Sequence, residues 1–226
     1  MNNIDQKLWT NEEFFNPFGP EFLRLKINED IRLKLLDLIT LWLQSHEPVN
    51  FTAGAPEQMQ SIKNSIVDGK MGRIYARDQG HDEWRGGDPK NIIKNTIEGM
   101  LCRYGELYYN QPCLSTITDV WYGVMKAGDF HILHSHHSLD INIAVLAGAI
   151  YLEVPDNLPD PQGNMNWILG GTGGHGRWHL GDSTWGCSPK LGDVFLWPAW
   201  LMHTVYPFRS KQERIMISFN GQIVCR

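Results

Sequence analysis

The sequence predicts an α+β fold that is mainly β, with a barrel or jelly roll in residues 113–226 buttressed by helices in residues 1–112. Two observations predict it. Before about residue 110 apolar residues recur every three or four positions, the period of a helix face. After Pro112, short segments of β-branched and aromatic residues alternate with turn residues. Strands that follow one another without intervening helices suggest a closed or rolled antiparallel sheet. Helices gathered ahead of them suggest support for one face of it. The chain of 226 residues shows no internal repeat and no low-complexity linker, so it reads as one domain.

The first helix follows from Ile31, Leu35, Leu38, Ile39 and Trp42, from Glu29 up to the region of Pro48. Residues 50–87 (AGAPEQ, ARDQGHDEWRGGDP) are rich in glycine and charge and read as loops with a short helix near Glu57–Ile66. The second helix follows from Ile93, Ile97, Leu101, Tyr104 and Tyr108, with Asp88 as cap and Pro89 in the first turn. Eight strands are expected: Ser115–Met125, Phe130–His136, Ile141–Val154, Asn166–Gly170, Arg177–Leu180, Gly192–Trp197, His203–Tyr206 and Arg214–Val224.

Hydrophobic residues make up 42% and charged residues 20%, the balance of a chain that folds around a core. A net charge of −5 gives no sign of nucleic-acid or anionic-membrane binding. No apolar run reaches membrane-spanning length, and the N-terminal stretch MNNIDQKLWTNEEFF does not resemble a signal peptide. Cys102, Cys113, Cys187 and Cys225 show no CxxC spacing and read as free thiols of a cytoplasmic protein. The Gly170–Trp178 segment GGTGGHGRW lacks the GK[ST] of a phosphate-binding loop and reads as a hairpin tip or entrance loop.

The chemistry concentrates in GDFHILHSHH, which packs four of the nine histidines into seven residues, with His203 far downstream. Imidazole is the commonest protein ligand for transition metals. Residues two apart on a strand share a face. His134 and His136 therefore point together, whereas His131 and His137 point away unless a bulge intervenes. Asp140 joins the site only if the chain turns directly after His136. A hairpin centred between Phe208 and Arg209 would put Arg214 opposite His203. A buried arginine there calls for an anionic partner, and its fork suits a carboxylate.

Over Trp121–Asn220 these elements read WYGVMKAGDFHILHSHH, AGAIYLEVP, LGDVFLWPAWLMHTVYPF and RIMISFN. In that order they resemble the 2-oxoglutarate/Fe(II) oxygenase family, whose core is a double-stranded β-helix. The resemblance implies Fe(II) held by His134, His136 and His203, with Asp140 as the conditional alternative. It also implies 2-oxoglutarate held through Arg214, O₂ as oxidant, and oxidation of a C–H bond with decarboxylation to succinate. Many relatives in the wider superfamily use two histidines and a carboxylate, and His136 departs from that pattern.

The expected function is thus a 2-oxoglutarate-dependent dioxygenase, most simply a hydroxylase, acting on an amino-acid, peptide or small-molecule substrate. A three-histidine cupin enzyme without 2-oxoglutarate, and a non-catalytic binding module, are the rival readings. Arg214 separates the first two, because only a cosubstrate carboxylate gives it a task beside His203.

Overall fold

The computed structural model describes residues 8–45, 49–50, 70–78, 81–84, 91–136, 144–169 and 183–225. Its elements in order are β1 (Trp9–Phe15), β2 (Phe22–Ile27), α1 (Glu29–Ser45), β3 (Val49–Asn50), β4 (Lys70–Asp78), β5 (His81–Trp84) and α2 (Ile92–Tyr109). The second half supplies β6 (Cys113–Met125), β7 (His131–His134), β8 (Ala144–Glu153), β9 (Met165–Ile168), β10 (Thr184–Cys187), β11 (Asp193–Pro198), β12 (Met202–Val205) and β13 (Arg214–Cys225).

The strands form two antiparallel sheets. The larger runs β1-β2-β11-β8-β13-β6-β4-β3, with β5 against β4, and the smaller runs β10-β9-β12-β7. From β6 onward the chain passes back and forth between them. Strands β6, β8, β11 and β13 lie in the larger sheet, and β7, β9, β10 and β12 in the smaller. This is the double-stranded β-helix that the resemblance implies.

Side-chain alternation splits the large sheet's residues between two cores. Leu146, Ile150, Leu152, Val194, Leu196, Ile217 and Phe219 pack on the helical side, against Leu35, Ile39, Ile97 and Leu101. Ala147, Ala149, Tyr151, Phe195, Trp197 and Met216 face the small sheet, against Met165, Trp167 and Val205. Truncating one fully buried leucine such as Leu35 to alanine should cost about 2–5 kcal/mol. Gly148 has a packing reason, because a Cβ there would enter the Phe219 ring.

Helix α1 forms where expected. Glu29 and Asp30 favour its positive end, and Glu29 holds Arg32 at 2.6 Å. Helix α2 starts later than the Asp88–Pro89 signal indicates. Its cap is Asn91, in the left-handed region at φ 52°, and a second left-handed residue, Asn110, ends it. The short helix near Glu57–Ile66 and the strand Arg177–Leu180 lie outside the described residues.

Three expectations need correction. Among the described residues, 1–112 hold strands beside the two helices, since β1, β2, β4 and β5 extend or border the large sheet. The alternation Leu23, Leu25, Ile27 was a strand signal, and all three side chains are buried against the helices. Strands β12 and β13 do not form a hairpin: β12 pairs with β7 and β9, β13 with β6 and β8. The Tyr206–Glu213 connection, with Pro207, carries the chain from one sheet to the other. Finally, Cys113 and Cys225 are not free thiols but form a disulfide. They are 112 residues apart in sequence yet directly opposite on β6 and β13, with Cα atoms 4.1 Å apart. Cys102 and Cys187 are free, so the argument from thiols to a cytoplasmic protein loses half its basis.

Candidate metal centre

The site lies between the sheets, at the junction of β7, β12 and β13. His134 ends β7 and is the direct partner of His203 on β12. Their ring centroids are 4.1 Å apart. His136 lies two residues beyond His134, its backbone N–H bonded to Ala199 O at 2.8 Å. Its ring is 5.1 Å from both His134 and His203. One ligand atom from each of the three falls within 4.8 Å of the others. Metal–imidazole bonds are about 2.0–2.1 Å long, so small ring rotations bring this triangle onto one ion.

The rings are held from behind. His134 Nδ1 meets Ile132 O at 2.7 Å, and His203 Nδ1 meets Leu201 O at 2.9 Å. A carbonyl only accepts, so each Nδ1 carries the proton and Nε2 presents its lone pair. Burial pushes the His203 pKa down to about 2, helped by the neighbouring His134. Burial also lowers His134. Both rings are therefore neutral near pH 7, the protonation state a metal ligand needs. This donor set suits a borderline transition metal such as iron.

Strand parity placed His134, His136 and His203 together correctly but set His131 aside, and the structure differs there. The pairing of β7 with β12 shifts register, with His131 opposite Val205 and His134 opposite His203. Three steps on one strand thus match two on the other, and His131 turns onto the inner face. Its ring lies 4.0 Å from that of His134, and burial pushes its pKa down to about 3. His137 and the conditional carboxylate Asp140 lie outside the described residues.

These histidines line a cavity of about 220 Å³ that opens to solvent, with Trp121, Met165, Trp197, Met216 and Ser218 among its walls. Among the described residues its lining contains no aspartate or glutamate. Arg214 lies on the same face of β13 as Met216 and Ser218. It is fully buried, with its guanidinium 5.7 Å from the Tyr151 ring and 5.4 Å from Phe208. Nη2 donates to Gly163 O at 2.6 Å, whereas Nε and Nη1 have no partner. Burial lowers its pKa, and no carboxylate offsets that. Arg214 does not itself line the cavity; Met165 and Met216, which do, pack in one cluster with Tyr151 and Phe208.

Residues 119–220 match the sequence profile of the family described as "Putative 2OG-Fe(II) oxygenase". By this match the segment 119–220 is similar to the 2OG-Fe(II) oxygenase family. Fe(II), 2-oxoglutarate and O₂ are that family's cofactor, cosubstrate and oxidant, and the three-histidine cluster fits the metal. No curated protein sequence matches the chain. Among solved structures, a 2OG-Fe(II) oxygenase-family oxidoreductase from Burkholderia pseudomallei is similar, at TM-score 0.58 and 13% identity, over 88% of this chain and 85% of that one. The α-ketoglutarate-dependent carbocyclase SnoK of nogalamycin biosynthesis gives 0.58 and 12%, over 91% and 81%. A prolyl hydroxylase from Trichoplax adhaerens, in complex with a hypoxia-inducible-factor peptide, gives 0.55 and 13%, over 98% and 86%. At such identities the likeness shows a shared double-stranded β-helix. Among the described residues no helix is long and apolar enough to cross a membrane.

Proposed function

We propose that this chain is a 2OG-Fe(II) oxygenase that hydroxylates an unactivated C–H bond of an amino-acid, peptide or small-molecule substrate. His134, His136 and His203 hold the iron, and Arg214 binds the distal carboxylate of 2-oxoglutarate. The carrying observation is the pairing of a converging histidine triad with a buried arginine whose Nε and Nη1 have no partner among the described residues. When bound, the iron with 2-oxoglutarate and O₂ supplies an oxidant able to break a C–H bond, leaving succinate and CO₂.

The chain's own residues supply binding and orientation. The Ile132 and Leu201 carbonyls fix two imidazoles in the ligating tautomer. Trp197, 5.1 Å from His203, walls off one side and limits water. Met165 and Met216 must turn aside for a carboxylate to reach Arg214, and unbranched thioether side chains do so at low cost. Strands from both halves share the large sheet, which favours one domain over 1–226.

Anaerobic Fe(II) titration followed by 2-oxoglutarate tests the reading. A visible metal-to-ligand charge-transfer band in the wild type, absent in Arg214→Ala, supports it. Metal binding without any such band would turn the assignment to the cupin-type enzyme, which the all-histidine donor set also accommodates. Retained tight metal binding in His203→Ala would refute the ligand set.

A further inference from the structure

The third histidine is held differently from the other two. His136 Nδ1 faces the side-chain amide of Asn220, 3.0 Å from its Nδ2. An amide can present either end to the ring. If the NH₂ donates to Nδ1, the ring proton sits on Nε2, which then has no lone pair for a metal. In that orientation Asn220 Oδ1 is also buried without a partner, which costs about 1–3 kcal/mol in general. A half-turn of the amide brings Oδ1 onto Nδ1–H and gives His136 the same tautomer as His134 and His203. The two amide ends are nearly isosteric, so this needs little displacement.

Asn220 is well placed to impose that choice. It is only 8% exposed, so solvent offers little substitute for a lost acceptor. It lies on β13 between β6 and β8, paired with Asp119 and Ala147. It shares the inward face with Arg214, Met216 and Ser218. Immediately after it the pairing with β6 shifts register, so the ladder is interrupted here and resumes at Gly221.

We propose that Asn220 is a positioning residue for the metal centre: its Oδ1 accepts from His136 Nδ1–H and locks the tautomer that presents Nε2. The proposal rests on the metal reading above. A neutral acceptor at this place orients the imidazole without adding a negative charge beside the triad, as a carboxylate would.

Two measurements on the full chain test it. The first needs no metal: long-range ¹H–¹⁵N spectra of ¹⁵N-histidine-labelled apoprotein at neutral pH, with His136 identified by its loss in His136→Gln. The expected result is an Nδ1–H tautomer for His136 in the wild type and a shift towards Nε2–H in Asn220→Ala. The second is anaerobic Fe(II) affinity by calorimetry. Asn220→Ala should bind about 10–100-fold more weakly, whereas Asn220→Asp, which can still accept, should bind at least as tightly as wild type. Apoprotein thermal unfolding of both variants controls for folding, and the tautomer shift together with rescue by aspartate is beyond a purely structural role. An Nε2–H tautomer in the wild type, or equal Fe(II) affinity in Asn220→Ala and wild type, overturns the proposal while leaving the metal reading intact. A wild type that takes up no Fe(II) removes both.

Discussion

Replacing Arg214 by methionine should separate stability from cosubstrate binding. The guanidinium is fully buried with one hydrogen bond, to Gly163 O, and two idle donors at Nε and Nη1. Each unsatisfied buried donor costs about 1–3 kcal/mol, and the Gly163 bond, being charge-assisted, returns about 1.5–3 kcal/mol. Removing all three is thus close to neutral, or stabilising by up to a few kcal/mol, in the protein without ligand. The cosubstrate side has the opposite sign. Two charge-assisted bonds to a carboxylate, at about 1.5–3 kcal/mol each, amount to roughly two to four decades in Kd. Thermal unfolding with metal and 2-oxoglutarate reads both. At a hundred times Kd the ligand adds about 2.7 kcal/mol, a rise of about 5–11 °C for a chain of this size. The wild type should show that rise. Arg214→Met should show none, at an unliganded Tm equal to or above wild type. A large fall in unliganded Tm with an undiminished ligand response would refute the reasoning and make Arg214 a structural residue.

Other expectations are simpler. Burial holds the folded-state pKa of His203 at about 2 and that of His131 at about 3, and lowers His134. The unfolded chain binds these protons first, so their contribution is fully present above the unfolded value near 6.5 and is lost as pH falls below it. Urea unfolding of the apoprotein should weaken from about pH 6.5 towards pH 3, by up to about 1.4 kcal/mol per pH unit for each histidine; a flat profile there would contradict the burial. Saturating Fe(II) should oppose that loss at pH 7 and progressively less at lower pH, because protons compete for the ligating nitrogens. Reducing Cys113–Cys225, or replacing both cysteines by serine, should cost about 2–5 kcal/mol in denaturant midpoint experiments. Gly148→Val should destabilise by about 1–3 kcal/mol or more, since its side chain must displace Phe219.

Much of the centre is legible in the sequence because period-two parity carries it. The HxH step predicts that His134 and His136 share a face, and they lie together. Parity fails at His131, where a register shift that no local residue announces turns the ring inward. Arg214 is buried, as expected from the sequence, but that expectation rested on a hairpin that does not exist. The connection after Val205 leaves the sheet, and pairing partners are set by strands more than 30 residues away. Asn220 is invisible to spacing arguments for the same reason: its partner His136 is 84 residues distant. The strands of the first half are hidden differently. WTNEEFF shows no apolar alternation, and β1 is an edge strand with most of its side chains towards solvent.

The bond between Cys113 and Cys225 joins β6 to β13 at one end of their shared ladder. Residues 119–220, the family's whole matched segment, lie within the covalent ring it closes. This β-rich core is thereby a cyclic polymer with residues 1–112 attached to it as one long arm. A single backbone cut at any bond of that ring opens the circle without releasing a fragment. Every proposed ligand, together with Arg214 and Asn220, stays on one covalent molecule until the sulfurs are parted.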